Sequence, residues 1–268
     1  MSQLKAAYLL ADLGEDSPEI ERLTAQARRF VELELPLLTR WLKAPTKIFD
    51  FGCGTGVISQ ALAQHFPDCQ VVGLDADRIA IKESRKRIGT LPNLEFIQWS
   101  ILESAPVPGS PADLAFSRLL LLHLPDPAAA IRRMVESLAP QGRLYLVDTD
   151  DRDKIFEPRE PWQDHLLETM EKVQRVRGST RYLGRELKGM LEQAGLIEAN
   201  SQRFYYSKQA IGIPSFMEIM LPGSKWYLDQ ANLTEAALHD MLEKVRKFLI
   251  REDTEVKICV WHATAVRG

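Results

Sequence analysis

Between residues 47 and 148 short apolar runs alternate with helical stretches, and this alternation restricts the fold more than any other feature of the 268-residue chain. The runs predict strands at 47–51, 70–75, 94–99, 113–117 and 143–148, each bounded by turn-forming residues. The intervening segments have helical spacing. One begins at Asp126-Pro127, where Asp caps and Pro suits the first turn, carries Ile131, Met134, Val135 and Leu138 on one face, and is expected to stop at Pro140-Gln141-Gly142. Strands alternating with helices predict a parallel sheet covered by helices.

The first strand runs into "DFGCGTG". A dinucleotide fingerprint, GxGxxG, would require glycine at 52, 54 and 57, but position 57 is Val and the pattern is Gly52, Gly54, Gly56. Asp50 stands inside the strand, where a dinucleotide-binding domain keeps an apolar residue, and no GK[ST] triplet supplies a lysine for phosphates. Alternate glycines allow a tight turn whose backbone touches a ligand, and Asp50 offers an acceptor at the strand end. This combination suits a cationic nucleoside without phosphates. Asp75 follows the loop by about 20 residues, the distance at which a carboxylate reaches ribose hydroxyls. A dehydrogenase ranks last because the glycine spacing is wrong.

With "DFGCGTG", "VVGLDAD", "DLAFSRLLLLHLPDP" and "SLAPQGRLYLVD" in this order, the chain resembles the class I S-adenosylmethionine-dependent methyltransferases over residues 17–195. It is most similar to the small-molecule type that includes enzymes of ubiquinone and menaquinone biosynthesis. The resemblance implies a Rossmann-like seven-stranded mixed sheet, N-terminal helices, a helical cap and S-adenosyl-L-methionine as cofactor. It also implies that Asp50 and the backbone of Gly52, Gly54 and Gly56 hold the methionine portion, and that Asp75 holds the ribose, with Ala76 beside adenine. The family's "GD" after the third strand is replaced by "QWSILE", which leaves Ser100 to accept a hydrogen bond and Ile101 or Trp99 to pack against adenine.

Ligands of an open parallel sheet meet the carboxyl ends of its strands, here Ser117, Arg118, His123 and residues 148–151. In related O-methyltransferases a histidine after strand four acts with an acid after strand five, which makes His123 and Asp148 the catalytic candidates. The alternative ties His123 to backbone carbonyls and makes Asp148 a turn residue. Arg118 either neutralises Asp148 or contacts the cofactor. Arg22 and Gln26, at i and i+4 of a helix expected over 17–42, are candidates for the cofactor carboxylate. No metal site is expected, because no histidine or carboxylate cluster has ligand spacing.

The expected division is an N-terminal helical segment at 1–46, a nucleoside-binding core at 47–207, an inserted cap at 208–252 and a final strand at 253–268. Asn232 and Glu235 have capping-box spacing ahead of an amphipathic stripe from Leu238 to Leu249. Aromatic and apolar residues beyond the shared core, namely Phe156, Trp162, Tyr205, Tyr206, Phe216, Met217, Trp226 and Tyr227, with His165, suit a mostly apolar acceptor.

A formal net charge of −3 requires no polyanionic partner, and the basic run "RIAIKESRKR" has the spacing of a solvated helix face. Nucleic acid is further disfavoured by the lack of an "NPPY"-like tetrapeptide after strand four. Three cysteines without paired spacing indicate neither disulfide framework nor zinc, and no stretch approaches the ~18 apolar residues of a membrane span. A cytoplasmic monomer or homodimer is therefore expected. It would transfer methyl to oxygen, carbon or nitrogen of a small molecule; the rival is an inactive methyltransferase-like regulatory subunit.

Overall fold

The computed structural model describes residues 17–42, 44–103 and 105–268. The expectations for residues 1–16 lie outside the described residues. Helix α1 (Pro18–Trp41) starts as its sequence predicts: the Ser17 hydroxyl accepts from the Glu19 amide, and proline occupies the first turn.

The alternating segment then forms β1 (Lys47–Phe51), α2 (Val57–His65), β2 (Gln70–Asp75), α3 (Arg78–Ile88), β3 (Leu94–Gln98), β4 (Ala112–Arg118), α4 (Pro127–Glu136) and β5 (Leu138–Thr149). After β5 come β6 (Ile155–Glu157), α5 (Pro161–Val176), α6 (Leu187–Gln193), β7 (Ile197–Ser207), α7 (Lys208–Ile211), α8 (Ile213–Asp229), α9 (Glu235–Ile250) and β8 (Glu255–Val266). The strand order is β3-β2-β1-β4-β5-β8-β6, with β7 on the other edge of β8. Strands β1 to β5 pair in parallel, whereas β8 runs antiparallel to β5, β6 and β7.

The seven expected strands are present, and an eighth joins them. Strand β6 takes up the edge of β8 that β5 leaves: Thr149 pairs with Val260, and Ile155 pairs with Lys257. Its three residues lie within a charged, proline-containing stretch that reads as loop. Two further boundaries differ from expectation. Strand β5 starts at Leu138, ahead of the turn expected to end the preceding helix, and its pairing with β4 shifts register between Ala112 and Leu114. A Cβ on Gly142 would meet the Ala139 carbonyl oxygen at 2.7 Å, so this irregularity requires glycine. Helix α9 is capped by Thr234, which accepts from the Ala237 amide; Asn232 instead takes a left-handed turn conformation with φ 54°.

Side chains alternate between two cores. Ile48 joins Leu62, Val71, Phe116, Phe216 and Phe248 on one face, while Phe49 joins Leu74, Trp99, Ile131 and Leu191 on the other. Phe156, Trp162 and Phe248 meet edge to face in the first core, and Phe216 is fully buried there. The buried Lys208 ammonium donates to the carbonyls of Leu249 and Arg251 and to Thr254 Oγ1, which ties the end of α9 back to α7.

Candidate active site

One cavity of about 410 Å³ opens at the carboxyl ends of the parallel strands, a volume in the range of small-molecule sites. Its walls run from the glycine loop and the end of β2, past the loop after β4, to residues after β5, on β8 and on α8.

At one end the strand-to-helix turn places Gly52, Cys53, Gly54 and Thr55 on the wall. Gly52 has φ 71°, and a Cβ there would meet the Leu120 side chain at 3.0 Å, closing space between two cavity-lining loops. Asp75 is the fixed acceptor of this end. Its Oδ2 receives the Gly54 amide at 2.9 Å and its Oδ1 the Asp77 amide at 2.8 Å. Asp77 is the residue that caps α3, accepting from the amides of Ile79 and Ala80, so Asp75 is not consumed as a helix cap. Burial pushes the Asp75 carboxyl up to about 6 against the backbone hydrogen bonds it accepts. Ala76, Trp99, Ser100 and Ile101 complete this wall, together with Arg22 and Gln26 from α1. Arg22 is bound to Glu19 and donates to Gln26 Oε1 at 3.1 Å.

Four expected site residues do not line the cavity. Asp50 is buried behind the glycine loop and accepts from Ser59 Oγ at 2.5 Å; burial raises its carboxyl to about 7. Gly56 faces packing instead, where a Cβ would strike Phe96 at 2.6 Å. Ser117 is buried within β4. Asp148 accepts from the amides of Thr149 at 2.8 Å and Leu122 at 3.2 Å, holding the loop that carries His123 rather than touching the cavity. Its carboxyl too is pushed up to about 7 by burial. Arg118 does line the cavity, but its partner is Glu34 of α1, bound through Nε at 2.7 Å and Nη2 at 3.2 Å, and not Asp148.

The other end is built from residues distant in sequence. The Arg181 guanidinium donates to both oxygens of Asp151 through Nε and Nη2, and its Nη1 donates to Tyr227 Oη at 2.7 Å. Tyr227 donates onward to Gln174 Oε1 at 3.0 Å. Gln174 Nε2 then donates to the Leu122 carbonyl and faces His123 Nδ1 at 3.4 Å. An arginine can only donate, so every polarity in this chain follows from it: the phenol accepts from Arg181 and gives its proton to the amide oxygen, which aims the amide nitrogen at Nδ1. His123 Nδ1 is thus an acceptor, and the proton of the neutral ring is on Nε2. The ring is neutral because burial, reinforced by Arg181, Arg22 and Arg177, holds its pKa down to about 3.

Lys154 lies 3.0 Å from Asp151 and, like Arg181, lines the cavity. Burial would raise the Asp151 carboxyl, but the two cations hold it down at about 2. Of the aromatic residues expected to meet an acceptor, Trp226 and Tyr227 are on the wall, whereas Phe156, Trp162 and Phe216 belong to the core and Tyr205 and His165 are exposed. Gln174, Lys154 and Arg181 were not anticipated. The charged loop carrying Asp151 and Lys154 was visible in the sequence, but the second partner of Asp151, Arg181, 30 positions later, was not.

Residues 42–195 match the methyltransferase domain family. The chain belongs to that family. It is 32% identical over 190 residues to the methyltransferase str3 of Strobilurus tenacellus, covering 69% of this chain and 66% of that protein. It is 30% identical over 148 residues to trans-aconitate 2-methyltransferase of Paracidovorax citrulli, covering 53% of this chain and 56% of that protein. The matches thus span between half and two thirds of these relatives' own lengths. The fold is similar to that of Haemonchus contortus phosphoethanolamine N-methyltransferase 2, solved with S-adenosyl-L-methionine, with a TM-score of 0.54 and 17% identity over 88% of this chain and 52% of that one.

Proposed function

We propose that the protein is an S-adenosylmethionine-dependent methyltransferase acting on oxygen, carbon or nitrogen of a small, mostly apolar molecule. The observation that carries this reading is the Asp75 carboxylate, fixed by two backbone amides at one end of a cavity whose other end reaches His123, Trp226 and Tyr227. Family membership, and S-adenosylmethionine bound in the Haemonchus contortus enzyme of similar fold, support it.

The residues present fit that nucleoside. Asp75 would accept the ribose hydroxyls, with its lone pairs pre-aimed by Gly54 and Asp77. Gly52 and Gly54 would let the backbone approach the methionine portion, with Arg22 and Gln26 beside its carboxylate. Ala76, Ser100 and Ile101 would flank adenine. Asp50 and Gly56 would act by shaping the loop, Ser117 and Arg118 by setting the end of β4, and Asp148 by holding the His123 loop. When bound, the cofactor supplies a sulfonium methyl: its carbon–sulfur bond breaks as the acceptor atom forms a bond to carbon, S-adenosylhomocysteine leaves, and any proton on the acceptor passes to solvent or a base. Alignment and exclusion of water supply much of such an acceleration. His123 Nε2–H would donate to an acceptor oxygen and orient it.

The domain reading, for the described residues, is 17–46 as helical entry to the core, 47–207 and 253–268 as the core, and 208–252 as a cap. It is supported by α8, which contributes Ile219, Met220, Trp226 and Tyr227 to the cavity. The apolar wall and the formal net charge of −3 favour a free small molecule over nucleic acid. No helix among the described residues is long and apolar enough to cross a membrane. A cytoplasmic monomer or homodimer completes the reading. Calorimetric titration tests its core: both methionine nucleosides should bind, and tight NAD binding with no response to either would sink the assignment.

A further inference from the structure

We infer that the acceptor end of the cavity is an anion site, and that the methyl acceptor carries a carboxylate received by Lys154 and Arg181. This deepens the methyl-transfer reading and rests on it. Two cations, Lys154 and Arg181, line the wall around one anion, Asp151. The Lys154 side chain is 6% exposed, that of Arg181 11% and that of Asp151 1%. One cation suffices to neutralise Asp151. A second cation buried beside it is an uncompensated charge, a costly arrangement unless an anion enters.

Among the described residues, the other acidic groups beside the cavity have partners of their own. Asp148 is held by backbone amides of Leu122 and Thr149. Glu171 is taken by Arg175, Thr180 Oγ1 and the Arg181 amide rather than by the guanidinium. Asp150 is bound by Arg152. Glu19, at the far side of the cavity, binds Arg22.

The donors match a carboxylate. Arg181 directs Nε and one hydrogen of Nη2 at Asp151 and one hydrogen of Nη1 at Tyr227, which leaves a hydrogen on each terminal nitrogen. The Lys154 ammonium has three hydrogens and a single acidic partner at 3.0 Å. One excess positive charge balances one negative charge, which selects a carboxylate over a phosphate monoester of about −1.5 to −2. Apolar neighbours Met170, Ile219, Met220 and Val260 would cover the rest of such an organic acid.

The test uses the full chain, labelled S-adenosylmethionine and a cell extract separated by anion exchange, with half of each fraction treated with phosphatase. Label should enter the retained fraction, and phosphatase should not remove the acceptor. Lys154→Met should then raise the KM for that fraction about 10- to 100-fold, Lys154→Arg should restore it to within about 3-fold, and S-adenosylhomocysteine affinity should stay within about 2-fold in both. Labelling confined to the flow-through, loss of the acceptor on phosphatase treatment, or an unchanged KM in a folded Lys154→Met protein overturns the proposal. Failure to bind S-adenosylmethionine, or transfer to no fraction at all, overturns the methyl-transfer reading itself and the carboxylate with it.

Discussion

The two ends of the cavity are built by opposite rules. At the glycine-loop end the key carboxylate, Asp75, is positioned by backbone amides of residues close to it in space and in motif, Gly54 and Asp77. At the acceptor end almost every contact joins side chains from separate elements: Arg181 to Asp151, Arg181 to Tyr227, Tyr227 to Gln174. The first end presents a carboxylate, and the second two buried cations. Backbone positioning tolerates side-chain change around it, so one end can keep a single ligand while a side-chain network at the other changes the acceptor. The contrast also predicts how each end fails: the first should lose ligand without losing stability, and the second should lose stability first.

The largest effect is expected from Arg181→Met. Removing this guanidinium takes away two hydrogen bonds to Asp151 and the donor to Tyr227, while Lys154 still neutralises Asp151, so unfolding free energy in urea should fall by about 2 to 4 kcal/mol. A loss below about 1 kcal/mol would mean that the network is an exposed decoration and not a framework. Asp75→Ala should behave in the reverse way. Affinity for S-adenosylhomocysteine should weaken by about 1 to 3 kcal/mol by calorimetry, while urea stability changes by less than about 1 kcal/mol. Unchanged affinity would break the comparison at its nucleoside end.

The same difference explains what could be read from the sequence. The parallel sheet, Gly52, Gly54 and Asp75 follow from local patterns, since a strand, a turn and the next helix cap are encoded within about 10 residues of each other, whereas the cavity-facing positions Ala76, Ser100 and Ile101 follow from the family resemblance and His123 from its place after the fourth strand. Asp50 and Asp148 were correctly placed at strand ends, yet both carboxylates turn to local partners, Ser59 and the Leu122 amide. Side-chain direction at a strand end depends on which neighbour arrives there, and spacing does not carry that information. Arg118 shows the same limit, because Glu34 lies 84 residues away. Nothing near Asp151 or Gln174 marks Arg181 or Tyr227 as their partners, and β6 pairs with a strand about 100 residues later through only three residues.

Asp50→Asn should produce a smaller, pH-dependent effect. Burial raises the Asp50 carboxyl to about 7 from its ordinary range, so the unfolded chain ionises it first as pH rises. Between the two pKa values the folded protein holds an extra proton, and native stability attributable to Asp50 falls as pH rises through about 4 to 7 and is level above that. Asn carries no such charge and can still accept from Ser59. The mutant should therefore gain on the wild type by up to about 2 kcal/mol between pH 5 and pH 7, measured by urea unfolding at each pH. A constant difference across this range would show that Asp50 is already ionised and stabilised in the fold, and would make the glycine-loop end depend on a charged side chain as well as on its backbone.

The smallest energetic effect is expected at Tyr227→Phe, which also probes the acceptor end most directly. Loss of the hydroxyl removes one acceptor from Arg181 and one donor from Gln174, worth about 1 kcal/mol of stability. With the phenol in place, the donor sequence from Arg181 leaves the Gln174 amide one orientation, and Nδ1 must accept. Without it the amide oxygen loses a donor, but the Leu122 carbonyl, which can only accept, still holds the amide nitrogen toward Nδ1, so the tautomer is kept. Nitrogen chemical shifts of labelled His123 should show Nδ1 unprotonated and Nε2 protonated in both the wild type and the mutant. The ring should stay neutral in both down to about pH 4, because burial and the three arginines that hold its pKa near 3 are largely unchanged. A pH–rate profile without a His123 inflection near 6.5 agrees with a hydrogen-bond donor that orients the acceptor. A wild-type ring protonated on Nδ1 would mean that Gln174 is reversed, that Tyr227 does not pass on its proton, and that the acceptor end is assembled by contacts as local as those around Asp75.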